Sequence, residues 1–162
     1  MPATDPRKVS DSLVEMTEIV LPEDANSHGS IFGGRVLALI DKCAAIVAMR
    51  HAHSLVLTAS VDSVAFLTAV RIGHVLILKG RINAVFGSSM EIEVQVFSED
   101  PLTSRRNITT RAFVTMVAVG EGGHPHPAAP LAAGDDDERQ RTAAAAERRC
   151  ARLALRDASS RT

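Results

Sequence analysis

Apolar Met90, Ile92, Val94 and Val96 alternate with polar Glu91, Glu93 and Gln95. A period of two predicts a strand with one face on a core and one in water. Residues 13–20, 55–70, 75–85 and 108–119 also read as strands, rich in Val, Leu, Ile and Thr. Between the first two, residues 36–49 run VLALIDKCAAIVAM. Good helix formers dominate there and apolar residues occupy every side, so a helix wrapped by other protein is expected. Gly33 and Gly34 stand where that helix should begin. The order is strand, one apolar helix, then strands joined by short links. Short links favour antiparallel neighbours. An α+β domain follows: a curved antiparallel sheet of five or six strands around one central helix.

Three segments result: a flexible N-terminus over 1–12, the domain over 13–131, and a Pro/Ala linker with a helical tail over 132–162. Within the tail, residues 135–157 open with acidic side chains and continue with basic ones, which suits the helix dipole. That helix has only Leu153 and Leu155 as large apolar residues, so it should be frayed or docked on a partner subunit.

Composition narrows the function. With 162 residues, one domain plus a tail is the natural size. The net charge of -1 gives no field for nucleic acid or an anionic membrane. There is no Trp or Tyr for base stacking. No apolar run is long enough to span a bilayer. The first residues lack the apolar core of a signal peptide. Cys43 and Cys150 have no metal spacing. A soluble cytoplasmic protein is the expectation.

Asp41 is the sharpest anomaly, because a carboxylate in an apolar helix is costly unless paired or used. Lys42 is a poor partner, since consecutive residues do not face each other on a helix. Asp41 therefore either sits at a polar edge against another cation or performs chemistry. Gly33 and Gly34 either pack a tight turn or offer backbone N–H to a developing oxyanion. Asn26 either closes an Asx-turn or holds a carbonyl or water. His28 is a loop histidine or an acid–base group. Gly87, Ser88 and Ser89 form a plain hairpin turn or a phosphate- or pantetheine-binding one. His124 and His126 lack companion metal ligands, and no metal is expected.

LPEDANSHGSIFGGRVLALIDKCAAIVAMRH resembles the core signature of the acyl-CoA hydrolase family of hotdog thioesterases. LTASVDSVAFLTAVRIGHVLILKGRI, FGSSMEIEVQV and RAFVTMVAV continue the likeness in order, covering about residues 13–131. The resemblance implies a hotdog fold, paired edge to edge and assembled into hexamers as trimers of dimers, with active sites between subunits. It implies hydrolysis of acyl-CoA thioesters, with no cofactor beyond the CoA carried by the substrate. Asp41 would be the catalytic carboxylate, with Asn26 assisting and Gly34, helped by Gly33, offering N–H to the thioester oxygen. Gly87, Ser88 and Ser89 match the turn that binds CoA. The family often has a basic residue and Pro where this chain has Thr68 and Ala69, and Arg where it has Gly87. Arg71, Arg105, Arg106 and Arg111 are candidates to compensate. The alternatives are a hotdog module that binds acyl-CoA or an acyl carrier without turnover, and a hydratase using His28.

Overall fold

A computed structural model describes residues 5–159. Strand β1 spans Val14–Ile19, helix α1 Gly33–Ala52, and strand β2 Leu55–Val61. Strands β3 (Val75–Phe86), β4 (Ser89–Asp100) and β5 (Arg105–Val119) follow, and helix α2 (Asp136–Ser159) closes the order. The sheet is antiparallel, in the order β1-β3-β4-β5-β2. Five strands and one long central helix thus meet the expected architecture.

α1 crosses the concave face of the sheet. Val36, Leu39, Ile40, Cys43, Ala44, Val47 and Ala48 recur at helical spacing and all are buried. They pack on Leu76, Leu78, Ile82, Ile92, Val94, Val114 and Met116 from the sheet. Gly80 of β3 lets the helix come close: a Cβ there would lie 2.8 Å from both Cys43 Sγ and Val47 Cγ2. The helix is not wrapped all round, however. Leu37 and Met49 remain exposed, because the chain's own sheet covers only one side. The α1 C-terminus is closed by His53 in the left-handed conformation, its N–H donating to Met49 O.

Further expectations are corrected. Residues 55–70 form a strand only to Val61; residues 62–70 are a loop. The lead-in is not loose where it is described: residues 9–12 make a 3-10 turn with Val9 and Ser12 buried. (Residues 1–4 of that segment lie outside the described residues.) The polar face of β4 is not wet. Glu91 and Glu93 are buried beneath α2.

The tail helix, expected to be frayed or docked on a partner subunit, docks instead on its own sheet, through charge rather than apolar area. Asp135 caps it, accepting the Glu138 N–H at 2.9 Å. Arg148 Nη2 and Arg152 Nη2 donate to Glu91 at 2.7 and 3.0 Å. Arg141 Nη1 meets Glu93 at 2.7 Å, and Arg111 of β5 meets the same carboxylate at 3.0 Å. Arg148 also lies 3.8 Å above the Phe113 ring. Buried carboxylates are tolerable only with such pairing.

The two sheet edges differ. β1 carries Glu15 and Glu18, charges that discourage further strand pairing. β2 reads LVLTASV without a charge and exposes Leu55, Leu57 and Val61.

Candidate active site

The loop before α1 is tightly tied. Phe32 N–H donates to Asp24 O, Ile31 N–H to Val70 O, and Arg35 Nε to Asp24 Oδ1, the last at 2.9 Å. Inside it Asn26 closes an Asx-turn. Its Oδ1 accepts the N–H of His28 at 2.9 Å and the N–H and hydroxyl of Ser30 at 3.3 Å. Two backbone donors fix which end of the amide is oxygen. No acceptor among the described residues meets its Nδ2, which leaves two donors for a substrate carbonyl or water. His28 is exposed, and of the candidates only Asn26 touches it.

α1 begins at Gly33 with Phe32 as an N-cap that supplies no side-chain acceptor. The first N–H groups of a helix have no partner within it. No acceptor among the described residues meets the N–H of Gly33 or Gly34. The two glycines differ in surroundings. A Cβ on Gly33 would touch the Phe66 ring at 3.3 Å, whereas one on Gly34 would project into open space. Packing therefore accounts for glycine at 33 and not at 34. An open, positively polarised helix start is suited to an oxygen that gains negative charge. An apolar pocket of about 330 Å3 opens beside it, lined by Gly33, Val36, Phe66, Leu67 and Thr68 among others.

Asp41 lies two turns further on, half-buried rather than enclosed in the core. Its Oδ1 accepts the Thr58 hydroxyl of β2 at 2.7 Å. Among the described residues no cation pairs with it and no donor meets its second oxygen. The sequence does not announce Thr58 as the partner of Asp41. A Thr in an edge strand is an ordinary β-former, so no local signal sets it apart. Seven residues separate Gly34 from Asp41. At 100° each they lie on nearly one side of α1, about 10 Å apart along the axis. A carbonyl at the helix start therefore meets Asp41 either of the same helix, through an intervening water, or of a neighbouring subunit.

Gly87 and Ser88 form the two-residue β3–β4 turn. Gly87 has φ +70° and Ser88 does not, the pattern of a II′ hairpin. An Arg at 87 would be strained there. Ser89 Oγ donates to Phe86 O. The structure does not bring this turn together with Asn26. Thr68 donates to Ile108 O. Cys43 is inert as a nucleophile, since burial pushes its thiol up to about 11.

Residues 28–104 match the thioesterase superfamily. A Bacillus subtilis protein named an uncharacterized acyl-CoA thioester hydrolase is 33% identical over 127 residues, 78% of this chain and 74% of that one. The chain spans only 33% of a Mus musculus cytosolic acyl coenzyme A thioester hydrolase, at 36% identity. A hexameric acyl-CoA thioesterase crystallised in its apo form superposes with a TM-score of 0.89 at 41% identity, over 93% of this chain and 97% of that one. An acyl-CoA hydrolase from Staphylococcus aureus, solved with butyryl-CoA, CoA and CoA disulfide, gives 0.88 at 34%, over 96% and 94%. It was also solved with alanine replacing an asparagine, an aspartate and a threonine. Those three residues have the same spacing along its chain as Asn26, Asp41 and Thr58 here. The chain belongs to the acyl-CoA hydrolases of the hotdog-fold thioesterase superfamily.

Proposed function

We propose that this protein hydrolyses acyl-CoA thioesters to a free acid and CoA at a site completed by a second copy of the chain. The observation that carries the reading is the half-buried Asp41, oriented by Thr58 and without a cation partner among the described residues, on the same side of α1 as the open N–H groups of Gly33 and Gly34.

The chemistry follows from these groups. The thioester oxygen accepts the N–H of Gly34, assisted by Gly33, and its carbonyl carbon becomes electrophilic. Thr58 holds one oxygen of Asp41, so the other takes a proton from water as water attacks. Asn26 Nδ2 orients that water or the carbonyl. The tetrahedral intermediate places its negative charge at the helix start. The C–S bond then breaks, and the proton held by Asp41 passes to the departing thiolate. In the alternative route the same Asp41 oxygen attacks the carbonyl and expels the CoA thiolate, which takes a proton from solvent; water then opens the mixed anhydride, releasing the acid and restoring the Asp41 carboxylate. No metal or redox group is needed by either route. Gly87, Ser88 and Ser89 are assigned to the CoA portion.

Self-association has independent support in this chain. The uncharged β2 edge exposes Leu55 and Leu57, and Phe32 and Leu37 flank the site. An unpaired apolar edge is a template for another strand. A second copy bringing its Asp41 to the first copy's Gly34 would close the separation of about 10 Å along α1. A trimer of such dimers is the proposed assembly, which gives the subunit number of the hexameric relative. The proposed location is the cytoplasm. None of the described helices is long and apolar enough to cross a membrane.

The test is thiol release from short-, medium- and long-chain acyl-CoAs, with Asp41→Ala beside the wild type. Turnover that collapses in the variant at unchanged oligomer size supports the reading. Wild-type protein inert on the whole panel, yet stabilised by CoA, would replace it with the binding-module alternative.

A further inference from the structure

On the outer face of the sheet, α2 leaves a groove of about 790 Å3 against Ala59–Ser63 and the β3–β4 turn. That volume suits a nucleotide-sized ligand. Four guanidinium groups face it: Arg148, Arg149, Arg152 and Arg156. They are not equivalent. Arg148 and Arg152 are committed to Glu91 and Asp62 at 2.7–3.0 Å, and among the described residues these two carboxylates are the only ones lining the groove. Arg149 has no carboxylate partner among the described residues; it lies 4.9 Å over the Phe86 ring. Arg156 meets its neighbour Asp157, at 3.5 Å and in water. Among the described residues, the lining thus keeps one guanidinium, Arg149, without a carboxylate, and a second, Arg156, held only by an exposed pair with Asp157 that a phosphate can replace.

The position of these two groups points to their ligand. Phe86 and Ser89 line the groove and bracket Gly87 and Ser88, the turn assigned above to CoA. CoA brings a diphosphate and a 3′-phosphate, yet Gly87, Ser88 and Ser89 bring no cation. Guanidinium groups bind phosphate through paired N–H donors. We propose that Arg149 and Arg156 of α2 hold the phosphates of the CoA portion in this groove, an assignment that rests on the thioesterase reading. The locked pair, Arg148 and Arg152, keeps α2 in place while the other pair receives the ligand. The tail helix is then part of the substrate site.

The test uses the full chain, wild type and the double variant R149A/R156A. Binding of CoA, of 3′,5′-ADP and of pantetheine is measured by calorimetry. KM is measured for butyryl-CoA and for butyryl-pantetheine. Removing each charge-assisted hydrogen bond should weaken binding about tenfold or more. The expected result is weaker CoA and 3′,5′-ADP binding and a higher KM for butyryl-CoA. Pantetheine binding, the KM for butyryl-pantetheine, the melting temperature and the oligomer size should not move. Unchanged CoA affinity would overturn the proposal. So would an equal loss for pantetheine, or a changed oligomer size, which would assign these arginines to a subunit contact. Loss of CoA but not of 3′,5′-ADP binding would place the phosphates elsewhere. Wild type that binds CoA through these arginines without turnover would refute the hydrolase and leave this inference standing. Turnover with an unaltered KM in the variant would do the reverse.

Discussion

Removing both cations from Glu91 should be the most damaging change outside the active site. Glu91 is fully buried, and Arg148 and Arg152 supply its charged partners. Among the described side chains, Asn83 Nδ2 at 3.3 Å is the only other donor to it. The variant Arg148→Met with Arg152→Met keeps the side-chain length and removes both charges. A buried carboxylate stripped of its partners costs about 3–5 kcal/mol. Loss of the Arg148 stacking on Phe113 adds little, because a Met sulfur also favours an aromatic ring. At ~2–4 °C per kcal/mol for a chain of this size, melting should fall by about 6–20 °C. Circular dichroism at fixed protein concentration reads this, with concentration held because assembly contributes to stability. Adding Glu91→Gln to the same variant should recover most of the loss, since the uncompensated charge is then gone. A double variant as stable as wild type would refute the reasoning. A triple variant no better than the double would show that packing, not charge, holds α2.

Gly34→Ala should leave melting unchanged or slightly raised, because its methyl meets open space and Ala favours helix by up to ~1 kcal/mol. Its kcat/KM should nevertheless fall at least about tenfold, as the methyl crowds the approach to the N–H groups; wild-type kinetics would remove the oxyanion role. His51 gives a pH prediction. Burial, against the opposing effect of its hydrogen bond to Ala129 O, lowers its pKa from 6.5. The unfolded chain therefore gains a proton below pH 6.5 that the folded chain resists, so His51 contributes stability above that pH and loses it as pH falls. Urea unfolding at about pH 7.5 and about pH 5.5, on either side of the ordinary histidine value, should show a larger loss for wild type than for His51→Gln; equal losses would contradict the assignment.

What could be read from the chain, and what could not, divides along local and non-local physics. α1, its glycine start and Asp41 were legible because period, composition and one misplaced charge lie within a single segment. Five strands followed from their apolar runs. Glu91 and Glu93 misled because alternation reports two faces, not what covers the second. The missing signal lay in α2: Arg141, Arg148 and Arg152 fall on one side of a helix poor in large apolar residues. Such a stripe can be docked only on buried acids, which β4 supplies. α1 looked apolar all round because composition does not say which of its apolar residues, here Leu37 and Met49, stay outside the chain's own core. Thr58 gains meaning only once β2 is set beside α1. For Asn26 the turn reading holds, its oxygen accepting from His28 and Ser30, while its nitrogen meets no acceptor among the described residues.

The claim on which the account depends is a site shared between two copies, and subunit complementation tests it most directly. Asp41→Ala and Asn26→Ala chains are prepared separately, each shown to be weakly active on butyryl-CoA, then mixed and allowed to exchange subunits. A mixed pair contains one site with both residues intact if Asn26 and Asp41 come from different copies. Activity should rise on mixing, toward about a quarter of the wild-type value when exchange is complete, because half of the dimers are then mixed and each of those has one working site of two. Exchange demonstrated by mass spectrometry without any gain in turnover would contradict it, placing both residues of each working site on one chain.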